Sequence, residues 1–171
     1  NGGNDHRGFM LSVVDTNDAP VITSANNDTA IEGERYTVVY CAENIDSTRD
    51  TLTWSLDTNA SWLSMDPETG ILSGKPLTED IGNYIIDISV DDGRGGTDST
   101  TFSINVLADT DGDGIPDDQD DDDDNDGTPD TEDDFPLDPS EQTDTDGDGI
   151  GDNADRDDDN DNWTDSMEEL A

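Results

Sequence analysis

Between residues 20 and 107, apolar and polar positions alternate in short runs separated by turn residues. A strand that alternates with period two turns one face to a core and the other to water. The runs predict strands at Val21–Ser24, Arg35–Ala42, Thr51–Leu56, Trp62–Met65, Ile71–Ser73, Asn83–Val90 and Ser99–Val106. Tyr84, Ile86, Ile88 and Val90 share one face. Phe102, Ile104 and Val106 repeat the arrangement against Ser103 and Asn105, and Leu52, Trp54 and Leu56 repeat it against Thr51, Thr53 and Ser55. The stretch from Trp62 to Gly74 reads as a hairpin, with Pro67 presetting a turn φ and Gly70 free to take a positive one. Trp62 and Leu63 are expected to plug the core; ligand stacking by Trp54 or Trp62 is the alternative. Short strands with turns at this spacing indicate an antiparallel β-sandwich.

Residues 1–14 look like a second copy of the last strand, displaced by 93 positions: Asn1-Gly-Gly-Asn-Asp5 matches Arg94-Gly-Gly-Thr-Asp98, and Phe9, Leu11 and Val13 match Phe102, Ile104 and Val106. A lone strand with an apolar face is marginal in water, so it should complete a preceding repeat or dock on a neighbouring copy. A frayed remnant is the other reading.

Charge changes the picture beyond residue 108. The chain of 171 residues has 47 acids against six Lys and Arg, a formal net charge of −41, and Asp dominates Glu. Residues 109–171 carry 29 of those acids and one base, Arg156. Such a field excludes nucleic acid and anionic membrane as direct partners and favours cations or basic surfaces. No apolar run approaches the roughly 18–20 residues of a membrane span, so no direct membrane insertion is expected. The first residues lack a leader pattern, and a soluble chain whose leader has been removed is expected. The one cysteine, Cys41, rules out an internal disulfide framework. It continues the Tyr36–Val39 run and is expected to be a small buried hydrophobe rather than a reactive or bridging thiol.

The acidic segment repeats with a period of 35: Asp109-Thr-Asp-Gly-Asp-Gly-Ile-Pro-Asp117 is answered by Asp144-Thr-Asp-Gly-Asp-Gly-Ile-Gly-Asp152. Inside each copy lies a finer period of 13. Calcium takes about six to eight oxygens, which a loop can supply from positions 1, 3, 5, 7 (through its carbonyl), 9 and 12, with a glycine at 6 for the sharp turn. The pattern reads four times. The first loop has Asp109, Asp111, Asp113, Ile115 carbonyl, Asp117 and Asp120, with Gly114 at the turn. The second has Asp122, Asp124, Asp126, Thr128 carbonyl, Asp130 and Asp133, with Gly127. The third has Asp144, Asp146, Asp148, Ile150 carbonyl, Asp152 and Asp155, with Gly149. The fourth has Asp157, Asp159, Asp161, Trp163 carbonyl, Asp165 and Glu168, with Asn162 in the glycine's place; Asn tolerates the left-handed conformation better than other side chains. About four Ca2+ ions are expected. No amphipathic helices separate the loops, and Ile115 and Ile150 are too few for a core, so folding here should come from metal binding. A disordered solvating tail is the alternative that composition alone allows.

Two resemblances follow. Asp18-Ala-Pro-Val-Ile-Thr23, Trp62-Leu-Ser, Gly70-Ile-Leu-Ser-Gly74-Lys-Pro76, Gly82-Asn-Tyr and Val90-Asp-Asp-Gly93 together resemble the cadherin-like, dystroglycan-type immunoglobulin-fold repeats of microbial surface proteins. The tail is similar to thrombospondin type 3 repeats, whose Asp-rich loops wrap calcium without regular secondary structure; the disulfides of the animal family are absent here. The expected fold is therefore mostly β: an antiparallel immunoglobulin/cadherin-like β-sandwich plus an irregular, calcium-wrapped acidic repeat segment. Residues 1–14 form a terminal-type strand, 15–19 a cadherin-like linker, 20–107 the sandwich and 108–171 the calcium loops. The linker Asp15-Thr-Asn-Asp18 resembles the cadherin inter-domain segment and could hold one more ion near Asp15–Asp18, with Asp91 or Asp92; a plain turn before Pro20 is the alternative.

The resemblances imply an extracellular or cell-surface protein. The leading function is a structural module that builds a stalk or filament, with other copies or adjacent repeats as partners. The alternative is an adhesin or carbohydrate-binding module on a calcium-stiffened spacer, with glycans as partners. No catalytic constellation is visible: His6 is the only histidine, and the carboxylates are explained as calcium ligands. Three Asn-x-Ser/Thr sequences occur. Asn27 and Asn59 fall in loops and are candidate glycosylation sites, whereas Asn162 lies inside the fourth calcium loop.

Overall fold

In the computed structural model, residues 16–45 and 50–168 are described, the side chain of Glu168 excepted. The duplicated strand expected at residues 1–14, and Asp15, lie outside them.

Among the described residues nine strands form the sandwich: β1 Val21–Ile22, β2 Thr29–Ile31, β3 Tyr36–Val39, β4 Ala42–Glu43, β5 Thr53–Thr58, β6 Leu63–Met65, β7 Ile71–Gly74, β8 Gly82–Asp91 and β9 Thr97–Leu107. One sheet has the order β2-β9-β8-β5, the other β3-β7-β6, and β1 pairs with β4. All pairs are antiparallel except β2 with β9, which run parallel with Ala30 opposite Val106. The core lies where the sequence pattern puts it: Ile86, Ile88, Val90, Ile104, Val106, Leu72 and Trp54 are buried, whereas Ile85, on the other face of β8, is exposed. Leu63 is buried, and the half-buried Trp62 meets Tyr36 and Tyr84 edge-on at 5.9 and 6.0 Å.

Three details depart from the sequence reading. Thr29–Ile31 is a strand the pattern did not reveal, because three residues are too few to show a period. The run Arg35–Ala42 is not one strand: it breaks after Val39, and the chain changes sheets to pair Ala42 with Ile22. Third, Cys41 is exposed, not buried. Alternation sends Tyr36 and Tyr40 inward, where Tyr40 is 1% exposed, so Val39 and Cys41 face out. The Cys41 backbone is held by Ser24 Oγ, which accepts its N–H, and by Thr23 N–H, which donates to its carbonyl.

The turns behave as their chemistry requires. Gly70 takes φ 68°, and a Cβ there would sit 2.6 Å from the Tyr40 carbonyl oxygen. At the β8–β9 turn, Asp92 Oδ1 accepts the N–H groups of Arg94 and Gly96 at 2.7 and 3.0 Å, and Oδ2 accepts the Asn17 amide at 2.7 Å. Oδ1 of Asp92 thus holds the turn, and Oδ2 fastens the linker to it.

The acidic segment leaves β9 without a break. Asp109 N–H faces Glu32 Oε2 at 3.5 Å, and Glu32 Oε1 accepts the Thr78 hydroxyl at 2.5 Å. From there the chain forms loops and turns, with a 3₁₀ turn at Asp130–Glu132 and one helical turn, α1, at Asp165–Glu168. No described helix is long and apolar enough to cross a membrane.

Candidate metal centre

The four loops share one backbone design. Position 1 accepts N–H groups from positions 4 and 6: Asp109 takes Gly112 and Gly114 at 3.0 and 3.1 Å, and Asp144 takes Gly147 and Gly149 at 2.7 and 3.0 Å. Asp122 takes Gly127 at 3.2 Å, and Asp157 takes Asn162 at 3.0 Å. One oxygen of each position-3 Asp accepts the N–H of position 5, as Asp111, Asp124, Asp146 and Asp159 do. One oxygen of each position-5 Asp accepts the N–H of position 7, namely Ile115, Thr128, Ile150 or Trp163. Positions 3 and 5 thus spend one oxygen each on shaping the loop, and position 1 spends both in the first and third loops and one in the second and fourth.

The result is convergence. In each of the groups Asp109/Asp111/Asp113, Asp122/Asp124/Asp126, Asp144/Asp146/Asp148 and Asp157/Asp159/Asp161, one oxygen per residue lies within 4.8 Å of the others. Such convergence requires left-handed backbone at positions 4 and 6. Gly112, Gly114, Gly127, Gly147 and Gly149 supply it, and so do Asn125 at φ 56°, Asn160 at 56° and Asn162 at 73°. These are all the non-glycine residues with positive φ among the described residues.

Positions 9 and 12 serve differently from 1, 3 and 5. Asp117, Asp130, Asp152 and Asp165 donate their N–H to the carbonyl just before position 1, at 2.9 to 3.1 Å. Their carboxylates accept the N–H of position 2, namely Thr110, Asp123, Thr145 and Asp158. Position 9 is thus a clasp that closes each loop. At position 12, Asp120 and Asp155 each accept the next two backbone N–H groups. Asp133 accepts Phe135 N–H through Oδ1 and keeps Oδ2 buried without a partner.

The second loop makes the strongest case for a cation. Asp122 Oδ1, Asp124 Oδ2, Asp126 Oδ2 and Asp133 Oδ2 are all buried and lack hydrogen-bond partners. Asp124 and Asp133 are only 7% and 9% exposed. Burial, reinforced by Asp126, Asp133 and Asp122, raises the Asp124 carboxyl above the usual range, and burial with Asp111 and Asp113 does the same at Asp109. Four buried oxygens without donors, three of them from the converging Asp122, Asp124 and Asp126, are a hard-cation ligand set, and they fit calcium.

Several contributors were not read from the sequence. Asn125 Nδ2 donates to Asp111 Oδ2 at 2.8 Å, and Asn160 Nδ2 donates to Asp146 Oδ2, so each even loop is tied to the odd loop before it. The available signal was Asn at position 4 where the odd loops carry Gly. Asp123 is pushed up to about 6 by burial, then by Asp130, Asp117, Asp120 and Asp124, and Asp158 is raised by its equivalent surroundings. Glu141, 7% exposed, packs on Gly151 and accepts Asn153 N–H at 3.0 Å; a Cβ at Gly151 would meet its Oε2. This accounts for Gly151 standing where the first copy has Pro116.

Residues 19–107 match the family model described as "Putative Ig domain". The chain belongs to that family. Among solved structures the Ig-like chain is similar to the extracellular cadherin domains 1–4 of protocadherin gamma B7, with 24% identity, 57% of this chain and 26% of that one covered, and a TM-score of 0.45. It is similar to Drosophila N-cadherin EC1-4 at 17% identity, covering 53% and 25%, with a TM-score of 0.45. A third is the endo-fucoidan hydrolase MfFcnA4 of glycoside hydrolase family 107, at 24% identity, covering 53% and 14%, with a TM-score of 0.42. The chain spans about a quarter or less of these structures. No curated protein matches it.

Proposed function

We propose that this chain is a calcium-stabilised extracellular structural module, in which an Ig-like sandwich leads into thrombospondin type 3-like loops that stiffen a surface stalk or filament. The observation that carries the proposal is the second loop, where the carboxylates of Asp122, Asp124 and Asp126 converge and where these three and Asp133 each bury an oxygen without a donor. Positions 1, 3 and 5 of each loop would hold one ion, joined by the carbonyls of Ile115, Thr128, Ile150 and Trp163 and, in the second loop, by Asp133. Each ion turns a self-repelling cluster into a compact node, and metal binding there supplies folding free energy. Extracellular modules bind calcium at about 10⁻⁴–10⁻³ M, so the segment would order outside the cell and stay loose at cytosolic calcium. Other copies or adjacent repeats are the partners in this reading, and the clustered acids act as ligands, with no catalytic step.

Calorimetric titration of the EDTA-stripped chain, with scattering on both states, tests it. About four ions bound with compaction is the expected result; absence of saturable binding would refute the calcium reading. For the stalk or filament, length in chelator decides, and fibres unchanged in excess EDTA would count against it.

A further inference from the structure

We propose that copies of this chain dock sheet to sheet: Arg35 and Lys75, on the outer face of the β3-β7-β6 sheet, meet Asp57 and Asp87 on the outer face of the β2-β9-β8-β5 sheet of the next copy. The inference rests on the reading above, in which other copies are the partners, and gives that partnership a surface. The two cations lie one step beyond the point where Tyr36 and Leu63 both pair with Gly74. Tyr36 and Leu63 are buried, so alternation turns Arg35 and Ser64 outward, and Arg35, Ser64, Ser73 and Lys75 line one recess. On the other sheet Asp57 stands directly opposite Asp87, which lies between the buried Ile86 and Ile88. Both acids are exposed and line a recess of their own.

Charge leaves each face unsatisfied on its own. The described residues contain four Lys and Arg, of which Arg94 is paired with Asp50 at 2.8 Å. Among the described residues Arg35 and Lys75 form no ion pair; Arg35 Nε reaches only the Thr37 hydroxyl, at 3.4 Å. Asp57 and Asp87 form none there either, and Asp87 Oδ1 accepts the Thr101 hydroxyl at 3.2 Å. Like charges side by side on neighbouring strands destabilise a sheet. Each outer face carries such a pair, of opposite sign, so contact between copies relieves both.

The neighbouring rows match as well. Beside the cations, Thr37, Ser73 and Ser64 stand opposite one another across β3, β7 and β6; beside the acids, Ser55, Ser89 and Ser99 do so across β5, β8 and β9. Each face is thus a charged pair next to a row of three hydroxyls, short side chains that both donate and accept hydrogen bonds. The acidic segment holds more carboxylates, but they accept the N–H groups of their own loops and, in the calcium reading, hold ions. The sheet face, flat and with its charge unspent, is the better match. The two faces lie on opposite sides of one sandwich, so the contact is heterologous: a copy bound on one side leaves its other face free, and association builds a row of copies.

The test is sedimentation of the full, unglycosylated chain in calcium-containing buffer, because a glycan on Asn59 would stand in the recess beside Asp57. Self-association with a dissociation constant on the order of 1 mM is expected, weakening as salt is raised. R35E/K75E and D57K/D87K, all at exposed positions, should each weaken it by at least about tenfold, since like charges then face each other. An equimolar mixture of the two variants should associate again, because the reversed faces complement one another, and circular dichroism checks that both are folded. D57N/D87N, a milder change, should also weaken association while raising the melting temperature of the isolated chain. No self-association of the unaltered chain, or a loss in the folded variants that mixing does not restore, would overturn the proposal. So would association that D57K/D87K and D57N/D87N leave unchanged, an outcome that assigns the cations to the acidic loops of another copy. Fibres that shorten in EDTA yet are indifferent to D57K/D87K would sink this contact and leave the calcium-built filament standing.

Discussion

The side chain of Asn125 reaches back 14 residues to donate its amide to Oδ2 of Asp111 at 2.8 Å, while its backbone sits in the left-handed region at φ 56°. One residue thus does two jobs that glycine can do only in part. Thirty-five positions later, Asn160 makes the same bond to Asp146. The loops are therefore joined in pairs, first to second and third to fourth.

Pairing has a measurable consequence. N125G keeps the conformation and deletes the bond, and a lost hydrogen bond to a charged group is worth about 1.5–3 kcal/mol at most in a shielded setting, less at this exposed one. Calcium affinity in the first two loops is expected to fall by about 2- to 10-fold, with the third and fourth unchanged. Isothermal titration of N125G, N160G and the double variant checks this. Loss in all four loops from either single change would show that the segment acts as one unit rather than two.

In the proposed calcium reading the second loop depends most on its cation, and D124N addresses it. Asp124 is 7% exposed among Asp122, Asp126 and Asp133. Replacing it removes a charged ligand but relieves repulsion in the metal-free chain. One ion fewer should bind, while the stripped protein becomes no less compact. Stoichiometry by calorimetry and radius by scattering read the two effects separately.

How much of this was legible in the sequence depends on the period involved. The β8 and β9 faces were readable because ten and eleven residues show alternation plainly, whereas β2 has three and no period to show. The convergence of positions 1, 3 and 5 was readable because spacing fixes it. The clasp made by Asp117 and its equivalents was not, since a carboxylate that accepts a backbone N–H and one that faces a metal look alike in a run of Asp. Cys41 was misplaced because its run was taken as continuous, although alternation from the inward Tyr40 turns the next residue outward.

That exposure predicts reactivity. Cys41 in the folded chain should be modified by a thiol reagent in native buffer at the rate of an unhindered thiol, with no change in circular dichroism. Protection until denaturant is added would return it to the core.

The hairpin glycine is a test of packing. G70A forces a Cβ to 2.6 Å from the Tyr40 carbonyl and 2.9 Å from Trp54 Nε1, at a φ of 68° that alanine tolerates poorly. Neither neighbour can yield easily, one being backbone and the other a buried ring. A loss of at least about 2 kcal/mol is expected. Thermal unfolding in saturating calcium, compared with G33A, whose Cβ meets nothing within 4 Å, separates the steric part from the backbone part.

Protonation should act on the metal-free tail in the direction opposite to its effect on calcium binding. Burial and the carboxylates of Asp130, Asp117, Asp120 and Asp124 push Asp123 up to about 6, from the ordinary value of about 4. A raised acid binds its proton more tightly in the folded state than in the unfolded one, so the stabilisation is complete below about 4 and is lost as pH rises through 6. Without calcium, the acidic segment should therefore be more compact at pH 4 than at pH 7. With calcium, protons compete with the ion at the raised ligands Asp109 and Asp124, so affinity should fall on acidification. Scattering on the EDTA-treated chain across this range, beside a calcium titration at pH 5 and pH 7, measures both. Expansion of the stripped chain on acidification would mean that its shape does not depend on mutual repulsion among these carboxylates.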